Sequence, residues 1–420
     1  MKTCNHSRAG WVWALGGWLL LSGGCRDAGP PASEAPGSAE MTEQATSPRR
    51  SFSEQLEFLR RHTEILLLEA GSSQVAVAPA WQGRVMTSTA AGPEGPGYGW
   101  INEKLIASGE VLPHMNPYGG EDRLWLGPEG GQFAIYFPPG VPFEFAHWQV
   151  PAFLDTEPFE VVTAGPREAV FRRRVQFRNY SGTEFDIELE RTVRLIDPAE
   201  ALPGVGIENL QAVAFESVNR LTNRGRERWS AEKGLLSIWI LGMFPPSDRA
   251  TVVIPYRLPE GETAPAVNNR YFGKVPPDRL VITPRCLFFR ADGKHRSKIG
   301  LPWKNATPVA GSWDALNEVL TIVQYDLPET PQRYVNSMWE LQEDPYAGDV
   351  INAYNDGPPA PGEPPLGPFY ELETSSPARE LSPGETLQHR HRTIHVTGDR
   401  AELDRLARER LGVGLEEIPW

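Results

Sequence analysis

Residues 167–197 constrain the fold most, because they form two long runs in which apolar and charged residues alternate. A period of two residues is typical of a β-strand with one buried and one solvated face. In the second run Phe185, Ile187 and Leu189 share one parity, and acidic residues occupy the other. Arginines of the first run stand opposite these acids if the two runs pair across the Asn-Tyr-Ser-Gly turn. We therefore predict an antiparallel hairpin with paired charges on its exposed face.

The rest of the chain has the same β character. Short apolar runs, such as residues 234–247 and 319–327, are separated by turn residues, and the chain contains 40 Gly and 40 Pro. This composition favours strands joined by turns over helical bundles. Helical patterns stand out at residues 51–62, which open with a capping box, and at residues 399–413. We predict an all-β fold, one large antiparallel sandwich with short terminal helices.

The N-terminal segment predicts export. Residues 1–24 carry basic residues, then an apolar stretch too short to span a bilayer, then small residues ending at Cys25. We interpret Cys25 as the lipidated first residue of a mature lipoprotein; ordinary secretion is the alternative. Residues 25–50 have the composition of a flexible linker, which leaves residues 51–420 as the β domain. We expect a cell-envelope location, periplasmic or surface-exposed, at the outer membrane.

The bulk charge limits the partners. A formal charge of −13 argues against nucleic acid, which needs a basic surface. Membrane contact is expected only through the lipid at Cys25. In the mature chain Cys286 would be the remaining unmodified cysteine, so no internal disulfide is expected, and its apolar surroundings predict burial. We expect a monomer that uses no cofactor.

The stretch 115–137 is denser in polar and glycine residues than structure alone requires. Two glycine pairs allow tight turns or close approach to a ligand. Carboxylates, a guanidinium group and an aromatic ring are the mixture that sugars require. The alternative is a pair of turns with a local ion pair. The candidate sugar-binding residues here are Glu121, Asp122, Arg123, Trp125 and Glu129.

The stretch 343–359 adds Asn355 and Asp356 as candidate ligand-binding residues. Both are short polar side chains suited to hydroxyl groups. The sequence Asn-Asp-Gly is also a strong turn signal in its own right, so a purely structural role is equally compatible.

The stretch 369–396 carries candidates for chemistry. If residues 370–375 form a strand, Glu371 and Glu373 point to one face, which suits general acid–base catalysis. In the following strand His389, His391 and His395 share a face. Histidines at this spacing can bind substrate hydroxyls, or ligate a transition metal together with a glutamate. We favour substrate binding by His389 and His391, and expect no metal.

These motifs resemble a known superfamily. Residues 369–396, with Leu-Glu-Thr, Pro-Gly-Glu and a closing strand rich in His and Arg, resemble the C-terminal pattern of aldose 1-epimerases. More closely, residues 52–412 resemble a family of uncharacterised exported bacterial proteins in the galactose-mutarotase-like group; its marks here are GGEDRLWLGPEGGQ, YNDG and FYELETSSP. The resemblance implies a β-supersandwich with a sugar site on its concave face. It also implies that Glu373 is the catalytic base.

Two departures from the epimerase pattern stand out. The epimerases' acid histidine follows Thr-Asn, whereas here Asn223 is followed by Arg224, and Tyr118 replaces the histidine of their substrate loop. Arginine is a poor general acid, but it can neutralise an oxyanion or a substrate carboxylate. We therefore include Arg224 among the catalytic candidates, and Asn223 and Lys298 among the substrate-binding ones.

The sequence thus predicts an exported carbohydrate-active protein that binds a sugar in the cleft of a mutarotase-like sandwich. Glu373 is the expected base for epimerase, hydrolase or lyase chemistry, and hydrolysis would require a second carboxyl group such as Glu371 or Glu129. The rival hypothesis is a non-catalytic carbohydrate-binding lipoprotein. A third is a metal-dependent enzyme that uses His389 and His391.

Overall fold

The computed structural model describes residues 50–207 and 209–420. The predictions for the signal segment, for Cys25 and for all but the last residue of the linker lie outside these residues. Within the described part of the chain, no helix is both long and apolar enough to cross a membrane.

Strands dominate the described residues. The helices are α1 (Phe52–His62), α2 (Glu103–Ser108), α3 (Ala152–Asp155), α4 (Pro198–Ala201) and α5 (Arg400–Leu411), with short 3₁₀ helices at Pro79–Trp81, Phe145–His147 and Leu415–Glu417. The strands are β1 (Leu66–Ala70), β2 (Ser73–Ala78), β3 (Arg84–Thr89), β4 (Arg123–Gly127), β5 (Glu160–Ala164), β6 (Glu168–Arg178), β7 (Glu184–Ile196), β8 (Leu210–Asn223), β9 (Ser237–Phe244), β10 (Ala250–Pro255), β11 (Leu280–Ile282), β12 (Cys286–Arg290), β13 (Ser297–Pro302), β14 (Val309–Asp314), β15 (Val319–Tyr325), β16 (Asp349–Asn355), β17 (Tyr370–Ser375) and β18 (Thr386–Gly398).

The strands form three sheets. A ten-stranded sheet has the order β11-β12-β10-β14-β15-β18-β8-β7-β6-β5, a five-stranded sheet has the order β13-β16-β17-β9-β4, and a three-stranded sheet contains β1-β2-β3. Neighbouring strands pair antiparallel throughout, as in β17 with β9 and β18 with β8. The five-stranded sheet packs against the ten-stranded one over an apolar core. This confirms the all-β, antiparallel sandwich prediction.

The hairpin β6–β7 has the predicted register. Arg172 stands opposite Glu190, and their side chains meet at 2.8 Å. Arg174 binds Asp186 at 2.9 Å on the same exposed face. The other parity of β7 is buried in the core. Alternation alone therefore fixed both the pairing and the buried face of this hairpin.

The helices at the two ends of the β domain are confirmed. Helix α1 is capped by Ser51, whose side chain and that of Glu54 form the capping box. Helix α5 is capped by Asp399, and its apolar stripe packs on the ten-stranded sheet. Cys286 is buried, as expected, and this burial raises the pKa of its thiol to about 11.

Candidate functional site

Strand β17 separates two polar regions because its side chains alternate between the faces of the five-stranded sheet. Thr374 points toward the ten-stranded sheet, where its hydroxyl lies 2.9 Å from His389 Nε2 and 2.9 Å from His391 Nδ1. Glu371 and Glu373 have the opposite parity and point to the other face. The prediction that the two glutamates share one face is confirmed. We call that face, with the loops over it, the loop-covered face.

Glu373 is the centre of the loop-covered face. Its side chain is fully buried, and its Oε2 accepts hydrogen bonds from Lys298 Nζ at 2.8 Å and Trp239 Nε1 at 2.9 Å. Its Oε1 has no hydrogen-bond partner among the described residues. Buried carboxylate oxygens without a partner are uncommon, so this atom calls for an explanation.

Lys298 reaches Glu373 from the edge strand of the sheet. In β13 it stands opposite Tyr354 of β16, which in turn stands opposite Glu371, so all three side chains share the loop-covered face. Its ammonium nitrogen lies 4.8 Å from the ring centre of Trp239 and 5.3 Å from that of Tyr271. The aromatic faces and the Glu373 carboxylate together compensate the cost of burying this cation.

A second buried ion pair lies beside the first. Arg123 donates to Glu371 Oε1 at 2.9 Å, and its guanidinium group stacks on Trp125 at 4.2 Å. Burial raises the pKa of Glu371; the Arg123 charge opposes this shift, and the Glu373 carboxylate adds to it. The two glutamates are therefore held in different ways, one by an ammonium and the other by a guanidinium group.

Asp349 opens strand β16 next to this cluster. Its Oδ2 accepts from the Tyr271 hydroxyl at 2.5 Å and from Asn268 Nδ2 at 3.2 Å. Burial raises its pKa to about 6, despite these hydrogen bonds and the nearby Lys298 charge. No sequence signal indicates that Tyr271, Asn268 and Trp239 contribute to this site. Asn268 and Tyr271 lie in a loop, where there is no periodicity to interpret, and Trp239 lies in an apolar run.

Glu129 approaches the same cluster from the loop after β4. Its side chain is partly exposed. Burial of its carboxyl group raises its pKa to about 7, while Lys298 and a hydrogen bond from Trp339 lower it, and Glu373 raises it further. Glu129 is thus a carboxyl group near Glu373 that changes charge around neutral pH.

The cavity at this face is small in the observed conformation. It measures about 10 Å³, room for about one water molecule. Segments 256–279 and 326–348, which contain no helix or strand, contribute to its cover. The residues that line it are Gly127, Ser237, Trp239, Tyr271, Lys298, Val335, Ser337, Asp349, Asn352 and Ser375.

A larger, open groove of about 590 Å³ lies elsewhere, at the start of β18, with Asp326, Gln332 and Arg379 among its lining. Its lining includes His389, one of the predicted substrate-binding residues, but not Lys298; Glu373 lines neither this groove nor the smaller cavity. By volume alone, the groove would be the better candidate for a ligand-binding site. We place the candidate site at the smaller cavity, because Lys298 and Asp349 line it and Lys298 holds the buried Glu373 carboxylate beside it.

Several predicted site residues lie instead between the two sheets, in what we call the inter-sheet layer. Arg191 and Asp122 form a fully buried ion pair at 2.7 Å. His395 Nε2 lies 2.8 Å from Glu121 Oε2. The layer also includes His389 and His391 with Thr374, so Glu121, Asp122, His389 and His391 do not join Glu373 on its face.

Burial determines the charge state of two of these histidines. It lowers the pKa of His389 to about 3 and that of His391 to about 4, so both rings are neutral at physiological pH. Within residues 50–207 and 209–420, no group of three or more His, Cys, Asp and Glu side chains is arranged to hold a metal ion.

The remaining predicted residues anchor loops. Asn223 donates to the carbonyls of Glu227 and Leu381. Arg224 is 42% exposed and pairs with Glu188 at 2.6 Å, away from Glu373.

The Asn-Asp-Gly turn is also held within the protein. Asn355 binds the backbone of Gly293 and His295. Asp356 accepts from the Tyr354 hydroxyl and the Gly367 amide, and burial raises its pKa.

The glycine pairs pack against the protein itself. Gly119 has φ 98°, and a Cβ there would lie 2.1 Å from the carbonyl oxygen of Trp100. A Cβ on Gly130 would lie 2.3 Å from the carbonyl oxygen of Met338. This second contact lets the loop that carries Glu129 pack on the segment that covers the cavity.

The chain belongs to DUF6786, a protein family of unknown function. The model of that family matches residues 50–419. No functionally curated protein matches the chain.

Solved structures resemble it at low identity. A candidate aldose 1-epimerase from Escherichia coli K12 is 13% identical, with 80% of this chain and 99% of that chain covered and a TM-score of 0.48. The Slr1438 protein from Synechocystis sp. PCC 6803 is 12% identical, with coverage of 80% and 96% and a TM-score of 0.48. A galactose mutarotase-like protein from Lactobacillus casei is 11% identical, with coverage of 79% and 100% and a TM-score of 0.46.

Proposed function

We propose that this chain is a carbohydrate-active protein that binds a sugar at the loop-covered face and transfers a proton through Glu373. One observation carries the proposal: a buried carboxylate has one oxygen held by Lys298 and Trp239 and the other without a partner, beside a cavity covered by loops. A ligand hydroxyl would satisfy the free oxygen. Perturbed carboxyl groups in such a setting are typical of functional sites.

The lining of the cavity suits a sugar. Trp239 and Tyr271 supply aromatic rings for the C–H faces of a pyranose, while Asn352 and Asp349 supply hydrogen-bonding groups for hydroxyls. The position of Glu373 within Leu-Glu-Thr agrees with the role that the sequence resemblance implies for it.

The proton chemistry requires an acceptor and a donor. Glu373 Oε1 is the acceptor in this proposal, and Lys298 compensates the charge of the carboxylate. Glu129 is the donor in this proposal, because its pKa of about 7 keeps a proton available near neutral pH. This pair supports acid–base catalysis on a sugar hydroxyl or ring oxygen, of the epimerase, hydrolase or lyase type.

A sugar can enter only if the cover moves. Ligand pockets usually measure about 300–1,000 Å³, whereas this cavity measures about 10 Å³. The proposal therefore includes displacement of the loop that carries Tyr271 or of the segment that carries Ser337.

A non-catalytic sugar-binding protein is the second candidate, and one observation favours it. Lys298 already occupies Oε2 of Glu373 at 2.8 Å. That oxygen is already taken by the Lys298 ammonium and is not free to accept a proton from a ligand, so the same cluster could hold a ligand without turnover.

The proposed setting is the cell envelope. Cys25 would carry the lipid, membrane contact would occur only through it, and the β domain would act as a monomer in the periplasm or at the outer-membrane surface. The negative charge of the chain is consistent with a partner other than nucleic acid.

NMR of the purified protein with neutral sugars, amino sugars, uronic acids and their oligomers tests the proposal. We expect accelerated anomer exchange or new products, reduced by about 10²-fold or more in Glu373→Gln. Glu184→Gln, at an exposed glutamate, is the matched control and should retain full activity. Binding without turnover would establish the second candidate. The absence of both with every sugar would contradict a carbohydrate function.

A further inference from the structure

One cation at the edge of the loop-covered face has no acceptor. The Arg296 guanidinium group makes no hydrogen bond or ion pair with any described residue, and its Nε is buried without a partner. Its one close contact is the ring of Phe272, whose centre lies 4.1 Å from the guanidinium carbon. Partly buried polar groups normally find an acceptor, so the donors of Arg296 are available to a ligand.

Arg296 lies close to the residues that hold Glu373. It directly precedes β13, two positions before Lys298, and Lys298 pairs with Glu373. Positions two apart in extended chain place their side chains on the same face, and two residues span at most about 7 Å. A ligand that contacts Glu373 can therefore reach Arg296 with a ring substituent or with the next sugar of a chain.

The side-chain contacts of Arg296 agree with this placement. Phe272 belongs to the covering segment 256–279, and its ring meets that of Tyr354 edge-on at 5.8 Å. Tyr354 stands opposite Glu371 of β17, so its side chain lies on the loop-covered face. The Arg296 side chain is only partly exposed. It thus lies at the rim of this face, where solvent and the covered cluster meet.

The nearby carboxyl groups are bound to other groups. Burial raises the pKa of Asp356, and the Arg296 charge is one of the influences that lower it. The two are not in contact, because Asp356 Oδ1 accepts from the Tyr354 hydroxyl at 2.8 Å and Oδ2 accepts from a backbone amide at 2.8 Å. Glu371 is paired with Arg123, and burial raises its pKa to about 8, which reduces the negative charge of the face at neutral pH.

A guanidinium group without a counter-charge suits an oxyanion. Its N–H donors form a planar fork that matches carboxylate and similar oxyanions, and the charge strengthens each hydrogen bond. A neutral hydroxyl gains less from the same donors. Phe272 packs against the guanidinium group without supplying an oxygen acceptor, so it restricts the position of Arg296 and leaves the fork for a ligand.

Resting on the proposed function, we propose that the substrate is an acidic saccharide whose carboxylate or sulfate group binds Arg296. Arg296 is accordingly a specificity-determining residue, separate from the proton-transfer groups Glu373 and Glu129. The sequence placed a substrate-neutralising arginine at Arg224, but that residue pairs with Glu188.

Calorimetric titration of the full-length protein with methyl glycosides tests this. The panel contains glucose, glucuronic acid and glucose 6-sulfate, and the same three derivatives in the galacto and manno series. In a series that binds, we expect the uronic acid or the sulfate to bind about tenfold or more tightly than the neutral sugar, because charge-assisted hydrogen bonds are gained. The anion that shows the preference identifies the group that Arg296 binds.

Two variants and a matched control locate the effect. Arg296→Gln should bring the ratio close to one and leave the neutral sugar's affinity within about twofold. Arg296→Lys keeps the charge but not the fork, so it should retain only part of the preference. Arg379→Gln changes an exposed arginine of the open groove in the same way and should retain the full preference.

The wild-type ratio and Arg296→Lys decide the inference if Arg296→Gln does not fold. Equal or tighter binding of the neutral sugar in every series that binds would overturn the acidic-saccharide assignment and leave the proposed function standing. An anion preference that folded Arg296→Gln retains, or that Arg379→Gln removes, would overturn the role of Arg296. Failure of every sugar to bind would overturn both the proposed function and this inference.

Discussion

The inter-sheet layer and the loop-covered face contain the same kinds of residues but are covered differently. Each holds a buried carboxylate paired with a cation, Asp122 with Arg191 in the layer and Glu373 with Lys298 on the face. Each also leaves a carboxylate oxygen without a partner, Asp122 Oδ2 and Glu373 Oε1. An unpaired oxygen therefore does not by itself identify a site.

The difference lies in access. The layer lies between strands, and the cavities that reach it touch only His389 and His395, whose side chains are buried, so opening it further would break sheet packing. The face is covered by segments such as 256–279, which contain no helix or named strand and are held to β13 by the isolated bridge between Asn268 and Gly300. Loops can move at low cost, and functional residues concentrate beneath them. Buried polar residues next to strands thus stabilise the protein, while similar residues under loops are available for a ligand.

Removing one charge of the inter-sheet layer should have the largest effect on stability. Asp122→Asn leaves the Arg191 guanidinium buried without a counter-charge, and we expect a loss of about 3–5 kcal/mol in the free energy of unfolding. Urea denaturation measures it. Sugar affinity of the folded fraction should remain within about twofold.

A double variant, Asp122→Asn with Arg191→Met, provides the control. It should recover part of the lost stability, because the uncompensated charge is gone. The comparison between the two regions fails if Asp122→Asn abolishes sugar binding while the protein remains as stable as the wild type.

Thr374→Val should have a smaller effect on stability. It removes the hydroxyl that both His389 Nε2 and His391 Nδ1 contact at 2.9 Å. Leaving buried polar atoms unpaired costs about 1–3 kcal/mol, measurable as a shift of the urea midpoint. The rate of sugar turnover should change by less than a few-fold; a loss as large as that of Glu373→Gln would give the histidines a direct catalytic role.

We expect Glu129, on the loop-covered face, to make the free energy of unfolding depend on pH near neutrality. Its pKa rises from 4.5 to about 7 on folding, so between these values the native state holds a proton that the unfolded chain has released. Stability conferred by this group is complete below pH 4.5 and is lost as the pH rises through about 7. We expect a loss of about 2–3 kcal/mol between pH 5 and 8, since one pKa unit corresponds to about 1.4 kcal/mol.

Urea denaturation at pH 5 and pH 8 measures that loss. Glu129→Gln should reduce it, because glutamine does not ionise. An unchanged pH dependence in the variant would show that Glu129 ionises at the same pH in both states.

The sequence was most informative where one face of a strand is solvated. In β6 and β7 the alternation identified the pairing and the exposed charges, because only one parity is apolar. The capping signals located α1 and α5 for a similarly local reason. In β17 alternation correctly separated Glu373 from Thr374.

The site itself could be predicted only in part. Both faces of β17 are buried, so alternation could not show which face is covered by loops and which by strands. The histidines of β18 were predicted to bind the ligand. Their alternation shows that they share one face of the strand, but the local sequence does not show that another sheet covers this face. The pairing of Lys298 with Glu373 depends on the position of β13 two strands from β17, and Tyr271 reaches the cavity from a loop.

A crystal structure of the protein with the tightest-binding sugar of the panel tests the central claim most directly. We expect the sugar ring on the loop-covered face, against Trp239 and Tyr271, with a hydroxyl or ring oxygen within hydrogen-bond distance of Glu373 Oε1 and the covering segments displaced. A sugar bound instead in the open groove lined by Asp326, Gln332 and Arg379, with Glu373 still enclosed, would contradict it.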